Sequence, residues 1–105
     1  MVEDTVTVLL CTNEGSDRLF NTIDSIIEQT FTNWELIVVC NGTNRSLIAD
    51  SIKKRYNQDY IIVLLTAIAN LPFSLNLGLH HAKGKYIARI DTGDIAVKNL
   101  SLIHI

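Results

Sequence analysis

The chain has 105 residues, 48% of them hydrophobic and 19% charged, with a formal net charge of −2. That length builds one small domain around one core, and that composition excludes a disordered chain. A slightly acidic balance offers no basic footprint, so no nucleic-acid partner is expected.

Residues 6–11 (Val-Thr-Val-Leu-Leu-Cys) are apolar and β-branched, which predicts a buried strand. Thr12-Asn13-Glu14-Gly15-Ser16 breaks it with turn chemistry. From Asp17 onward, Leu19, Phe20, Ile23, Ile26 and Ile27 recur at helical spacing, with Ser16 or Asp17 able to cap the helix. Residues 34–40 (Trp-Glu-Leu-Ile-Val-Val-Cys) predict a second buried strand that ends in the loop Asn41-Gly42-Thr43-Asn44. Ile48, Ile52 and Tyr56 recur every fourth residue, so residues 46–56 read as an amphipathic helix. Its end carries Lys53, Lys54 and Arg55, which complement the helix dipole.

Residues 60–65 predict a third strand. Residues 72–82 read two ways. Phe73, Leu75, Leu77 and Leu79 alternate like a strand, yet Pro72 suits a first helical turn and Lys83-Gly84 a helix end. A helix is the usual link between parallel strands, so a helix is expected. The uncharged stretch 61–79 approaches the length of a membrane span. Asn70, Pro72, Ser74, Asn76 and Gly78 interrupt it, so no transmembrane span is expected. Residues 85–91 predict a fourth strand, and residues 95–105 carry no assignable pattern.

Strand and helix alternating in this way predict a doubly wound α/β domain, with a mainly parallel four-stranded sheet and helices on both faces. Such sheets bind ligands beyond the carboxyl ends of their strands, at a switch in strand order. The order 3-2-1-4 would set strand four beside strand one and open a crevice there. Thr12, Asn13 and Glu14 follow strand one, Asn41 and Thr43 follow strand two, and Asp91 and Asp94 follow strand four. Asp91 and Asp94 repel each other unless a cation lies between them, and Mg²⁺, bound through carboxylates and substrate phosphates, meets that need. The plain alternative is a polar turn bent at Gly93.

Other cofactor sites are not supported. The first strand–helix turn lacks G-x-G-x-x-G, and neither G-x-x-x-x-G-K-[ST] nor G-x-S-x-G occurs. His80 and His81 are adjacent and a poor pair for one metal. Cys11 and Cys40 end neighbouring strands and read as reduced thiols, since Met1-Val2-Glu3-Asp4 lacks the basic region of a secretory signal. A cytoplasmic protein is expected.

Laid in order, the motifs resemble the nucleotide-binding half of inverting glycosyltransferases of family two, which have the GT-A fold. The matching pieces are Val8-Leu9-Leu10-Cys11-Thr12-Asn13-Glu14, the run Ser25-Ile26-Ile27-Glu28-Gln29-Thr30-Phe31, Trp34-Glu35-Leu36-Ile37-Val38-Val39, Leu71-Pro72-Phe73-Ser74-Leu75-Asn76-Leu77-Gly78, and Ala82-Lys83-Gly84-Lys85-Tyr86-Ile87 leading to Asp91. The resemblance implies transfer of a sugar from a nucleotide-diphosphate donor to an acceptor hydroxyl in polysaccharide biosynthesis. It implies Mg²⁺ or Mn²⁺ as cofactor and an acceptor glycan or lipid-linked sugar as partner, and it admits peripheral association with a membrane. It places Thr12, Asn13, Glu14, Asn41 and Asp91 at the donor, and Asp91 and Asp94 at the metal.

The chain departs from the family at particular positions. Asn13 stands where a tyrosine is common. Cys40-Asn41-Gly42-Thr43 replaces Asp-Asp-Gly-Ser, which removes an aspartate that would bind the base while Asn41 still offers an amide. Asp91-Thr92-Gly93-Asp94 replaces Asp-Ala-Asp-Asp. Family members continue into an acceptor-binding half that carries the general base. Residues 1–105 are therefore expected to be one nucleotide-sugar-binding domain, a fragment without that half and inactive alone. The alternative is a non-catalytic nucleotide-sugar-binding or interaction module. Either form exposes a sheet edge or an apolar face, so homo-oligomerisation is expected.

Overall fold

The computed structural model describes residues 6–28, 34–56, 60–68, 70–84, 86–91 and 103–104. Its elements are β1 (Val6–Thr12), α1 (Asp17–Ile27), β2 (Trp34–Asn41), α2 (Arg45–Arg55), β3 (Ile61–Thr66), α3 (Leu71–His81), β4 (Tyr86–Asp91) and β5 (Ile103–His104). They form one sheet of order β3-β2-β1-β4-β5. The first four strands run parallel, and β5 pairs antiparallel with β4. The predicted order 3-2-1-4 is the observed one. The fifth strand adds to it, and a strand of two residues is too short to leave a periodic trace.

Topology decides where the helices lie. The chain steps outward from β1 through β2 to β3, then returns across β1 to β4. Right-handed crossovers in opposite directions put their helices on opposite faces. One face buries Val8, Leu10, Leu36, Val38 and Ile90 against Leu19, Ile23 and Ile26 of α1 and Ile48 and Ile52 of α2. The other buries Leu9, Ile37, Val39 and Ile87, with Leu75 and Leu77 of α3 packed against them. Strand alternation divides neighbours in sequence between the two cores.

α3 explains its own ambiguous sequence. Asn70 caps it by accepting a hydrogen bond from the Phe73 amide at 2.9 Å, and a proline sits in the first turn. Its buried residues are Ser74 and Gly78, four apart and hence on one helix face. Small residues let the helix approach the sheet, whereas Leu71, Phe73 and Leu79 remain exposed. The helix ends just ahead of Lys83-Gly84, within a residue of the expected end, but Gly84 does not cap it. Ala82 turns extended and ends it, and the Gly84 amide bonds to Thr7 instead. Among the described residues no helix is long and apolar enough to cross a membrane.

Candidate functional site

The carboxyl ends of the strands lie side by side. Thr12 pairs with Cys40, Asn41 with Thr66, and Cys11 with Asp91. The backbone of Asp91 therefore stands one strand away from the last residues of β1, at the point where the strand order reverses. The sequence separates these positions by some eighty residues, and the parallel β1–β4 pairing reunites them. Asp94 lies outside the described residues.

The first turn is held from within. The Thr12 hydroxyl donates to the Glu14 carbonyl at 2.9 Å and accepts from the Glu14 amide at 3.2 Å. Thr12 is buried, so it shapes the turn and leaves Asn13 exposed above it. The Glu14 carboxylate accepts from the Ser16 hydroxyl at 2.8 Å and pairs loosely with Arg18 at 3.6 Å. Ser16 occupies the N-cap position of α1, but its side chain makes no cap bond because it serves Glu14.

The turn after β2 uses the one described glycine with positive φ, Gly42 at 86°. An L side chain rarely adopts that conformation. Arg45, the first residue of α2, donates to the Gly42 carbonyl at 2.9 Å and braces the turn. Asn13, Gly42, Thr43, Asn44, Arg45 and Ala67 together line an open hollow of about 440 Å³. The hollow spans the ends of β1, β2 and β3, while Asp91 flanks β1 on its other side. Among the described residues its lining contains hydrogen-bond donors and amide acceptors and no carboxylate. Arg45 and Ala67 escaped the sequence reading. Only the position of Arg45 at the start of α2, directly after the strand-two loop, could have marked it.

Asn41 stands behind this rim. It is 8% exposed, and its amide nitrogen donates to the Ser74 hydroxyl at 2.9 Å. Cys40 is fully buried in the core beneath α1 and α2. Burial pushes its thiol up to about 12, partly offset by Lys53 and reinforced by Cys11. Cys11 packs toward the α3 side, so the two thiols face opposite cores and form no disulfide. Among the described residues no cluster of three His, Cys, Asp or Glu side chains could hold a metal. The backbone of Asp91, the residue expected at a metal, reaches the carboxyl end of the sheet beside β1.

An open, mainly parallel sheet of this strand order, with a hollow beyond its carboxyl ends, defines a doubly wound α/β domain of the kind that binds ligands there. The model of glycosyl transferase family 2 matches residues 7–99, and the chain belongs to that family. It is 40% identical over 88 residues to the bifunctional glycosyltransferase pgtA of Dictyostelium discoideum, covering 79% of this chain and 11% of that protein. It is 30% identical over 95 residues to the O-antigen biosynthesis glycosyltransferase WbnJ of Escherichia coli, covering 90% and 37%. The chain thus spans well under half of these relatives. Among solved structures it resembles the mannosyltransferase PcManGT from Pyrobaculum calidifontis in complex with GDP-Man and Mn²⁺. That likeness has a TM-score of 0.77 at 18% identity, covering 90% of this chain and 29% of that one. S. aureus TarS 1-349 in complex with UDP matches with a TM-score of 0.68 at 18% identity, over 87% and 28%. At such identities these two show the fold.

Proposed function

We propose that residues 1–105 form the donor-binding domain of a glycosyltransferase that takes a nucleotide-diphosphate sugar with Mg²⁺ or Mn²⁺. The observation that carries this reading is the register of Asp91 with Cys11, next to the turn built on Thr12. Asn13 and Arg45 line the hollow for the base. Thr12, Glu14 and Asn41 would support the donor from behind this hollow, and Asp91 and Asp94 would hold the diphosphate and metal. The metal, when bound, neutralises charge on the departing diphosphate. Acceptor binding and the general base fall to sequence that the relatives have beyond the matched stretch. The acceptor in this reading is a glycan or a lipid-linked sugar, reached from the cytoplasm. Leu71, Phe73 and Leu79, each more than 40% exposed on α3, support self-association.

One observation favours a non-catalytic nucleotide-sugar-binding module instead. Cys40 takes the place of a family aspartate and lies wholly in the core, where it cannot touch a base. Titrating GDP and UDP with and without Mn²⁺ separates the two readings. Metal-dependent binding that Asp91→Ala abolishes supports the donor site. Binding without metal dependence supports the module, and no binding of either nucleotide overturns both.

A further inference from the structure

Glu35 is a carboxylate that the donor site does not use, and it is only 8% exposed. It lies near the opposite, amino end of the sheet, in register with Thr7. The Thr7 hydroxyl donates to Glu35 Oε2 at 2.6 Å. The same oxygen accepts the Lys83 amide at 2.7 Å. Thr7 Oγ1 in turn accepts the Gly84 amide at 2.9 Å. Two side chains on β1 and β2 thus grip two successive backbone amides just ahead of β4. Among the described residues Glu35 makes no ion pair. A buried carboxylate is costly in a strand where an apolar residue would pack well, and its return here is two directed hydrogen bonds.

We propose that Glu35 is a positioning residue: with Thr7 it clamps the entry to β4 and so fixes the register that sets Asp91 beside the end of β1. Its consequence for ligand binding rests on the donor-site reading, but its geometry does not. β4 turns Ala88 and Ile90 to one core and Ile87 to the other. A slip of one residue would exchange those faces and is excluded by burial. A slip of two keeps every residue on its own face, so the apolar pattern alone resists it weakly. Such a slip would carry Asp91 along the sheet by about 6.6 Å, out of reach of the Thr12 turn. It would also pull Lys83 and Gly84 from Glu35 and Thr7 and leave the carboxylate oxygen buried without its backbone donor. Amide bonds placed before the strand begins therefore fix where the strand ends.

The test compares Glu35→Gln and Glu35→Leu in the whole chain by NMR, with Ile52→Val on the buried face of α2 as a core control. Cross-strand NOEs between Leu10 and Ile90 report the β1–β4 register, and those between Leu10 and Val38 report that the sheet is folded. Glu35→Gln keeps an oxygen acceptor and is expected to keep both sets. Glu35→Leu is expected to keep the β1–β2 set and lose or shift the β1–β4 set. Its affinity for GDP or UDP with Mn²⁺ then falls by about tenfold or more, since misplacing a binding group by over an ångström is costly. Ile52→Val should lower Tm and change neither readout. An unaltered β1–β4 set in Glu35→Leu, whatever its Tm, overturns the proposal. Should Glu35→Leu fail to fold, Thr7→Val removes the hydroxyl at nearly constant volume and is judged by the same NOEs. A wild-type chain that binds no nucleotide refutes the donor site and leaves the register criterion standing.

Discussion

Replacing Gly78 by alanine sets two effects of opposite sign against each other. In an ordinary helix interior the change stabilises by about 1 kcal/mol, because glycine surrenders more backbone freedom on folding. At this position the new Cβ would overlap Leu9 Cδ1 outright and stand 3.4 Å from Leu9 Cγ and Val39 Cγ2. Leu9 is 2% exposed and Val39 fully buried, so neither can swing into solvent. Overpacking of this kind costs about 1–3 kcal/mol. The net expectation is destabilisation of about 1 kcal/mol, with overpacking exceeding the helix gain. Urea unfolding reads this as a midpoint lowered by about 0.5 M at unchanged slope. Leu9→Ala removes the obstructing methyl and alone costs about 2–5 kcal/mol. In the double variant the obstruction is gone and the helix gain reappears, so the pair should couple favourably by about 1 kcal/mol or more. Stabilisation by Gly78→Ala alone, or additivity within about 0.5 kcal/mol, would refute the claim that α3 needs a bare backbone where it meets β1.

Three other outcomes follow from the same geometry. Ser74→Ala strips the buried Asn41 amide of its partner and should cost about 1–3 kcal/mol, measured by urea titration. Arg45→Ala should weaken GDP or UDP binding by about tenfold, the worth of one charge-assisted hydrogen bond, measured by calorimetry. Alkali should destabilise the chain through Cys40. Its thiol is raised by burial from 9.0 to about 12, so the folded state holds a proton that the unfolded state gives up. The stabilisation is complete below the unfolded value and is lost as pH climbs toward 12, at up to about 1.4 kcal/mol per pH unit. Cys40→Ala should flatten that dependence in urea midpoints measured above about pH 9.

The sheet was legible because buried parallel strands leave unbroken apolar runs, as in Leu36 to Val39, and helices leave a repeat, as in Leu19, Ile23 and Ile26. Boundaries held within a residue or so for the same reason. The helix α3 was harder because its contact face is built from Ser74 and Gly78, which carry no hydrophobic signal. Leu71, Phe73 and Leu79 carry one but are exposed, and Leu75 and Leu77, which pack against the core, are only partly buried. Arg45 and the clamp of Glu35 on Thr7 and Lys83 were invisible, since no local pattern announces a bond across 48 positions. The meeting of Asp91 with the β1 end followed from topology once the strand order 3-2-1-4 was assumed.

Asn41 offers the sharpest view of how this chain departs from its family. The amide donates to a Ser74 hydroxyl that is itself fully buried. An aspartate there presents acceptors only, so the serine hydroxyl would have to turn and donate. One such bond does not offset removal of a carboxylate from water. Asn41→Asp should therefore destabilise the chain by roughly 1–3 kcal/mol at neutral pH. Burial lifts the new carboxyl above its unfolded value of about 3.9. The sign of the pH dependence follows, because stability is then retained in acid and lost as pH rises. Urea midpoints of variant and parent should lie closer together near pH 4 than near pH 7. A gap that is equal at both, or wider in acid, would mean that the carboxylate finds donors at the head of β2. The family's aspartate would then fit this fold as it stands, and asparagine would not be a requirement of the Ser74 contact.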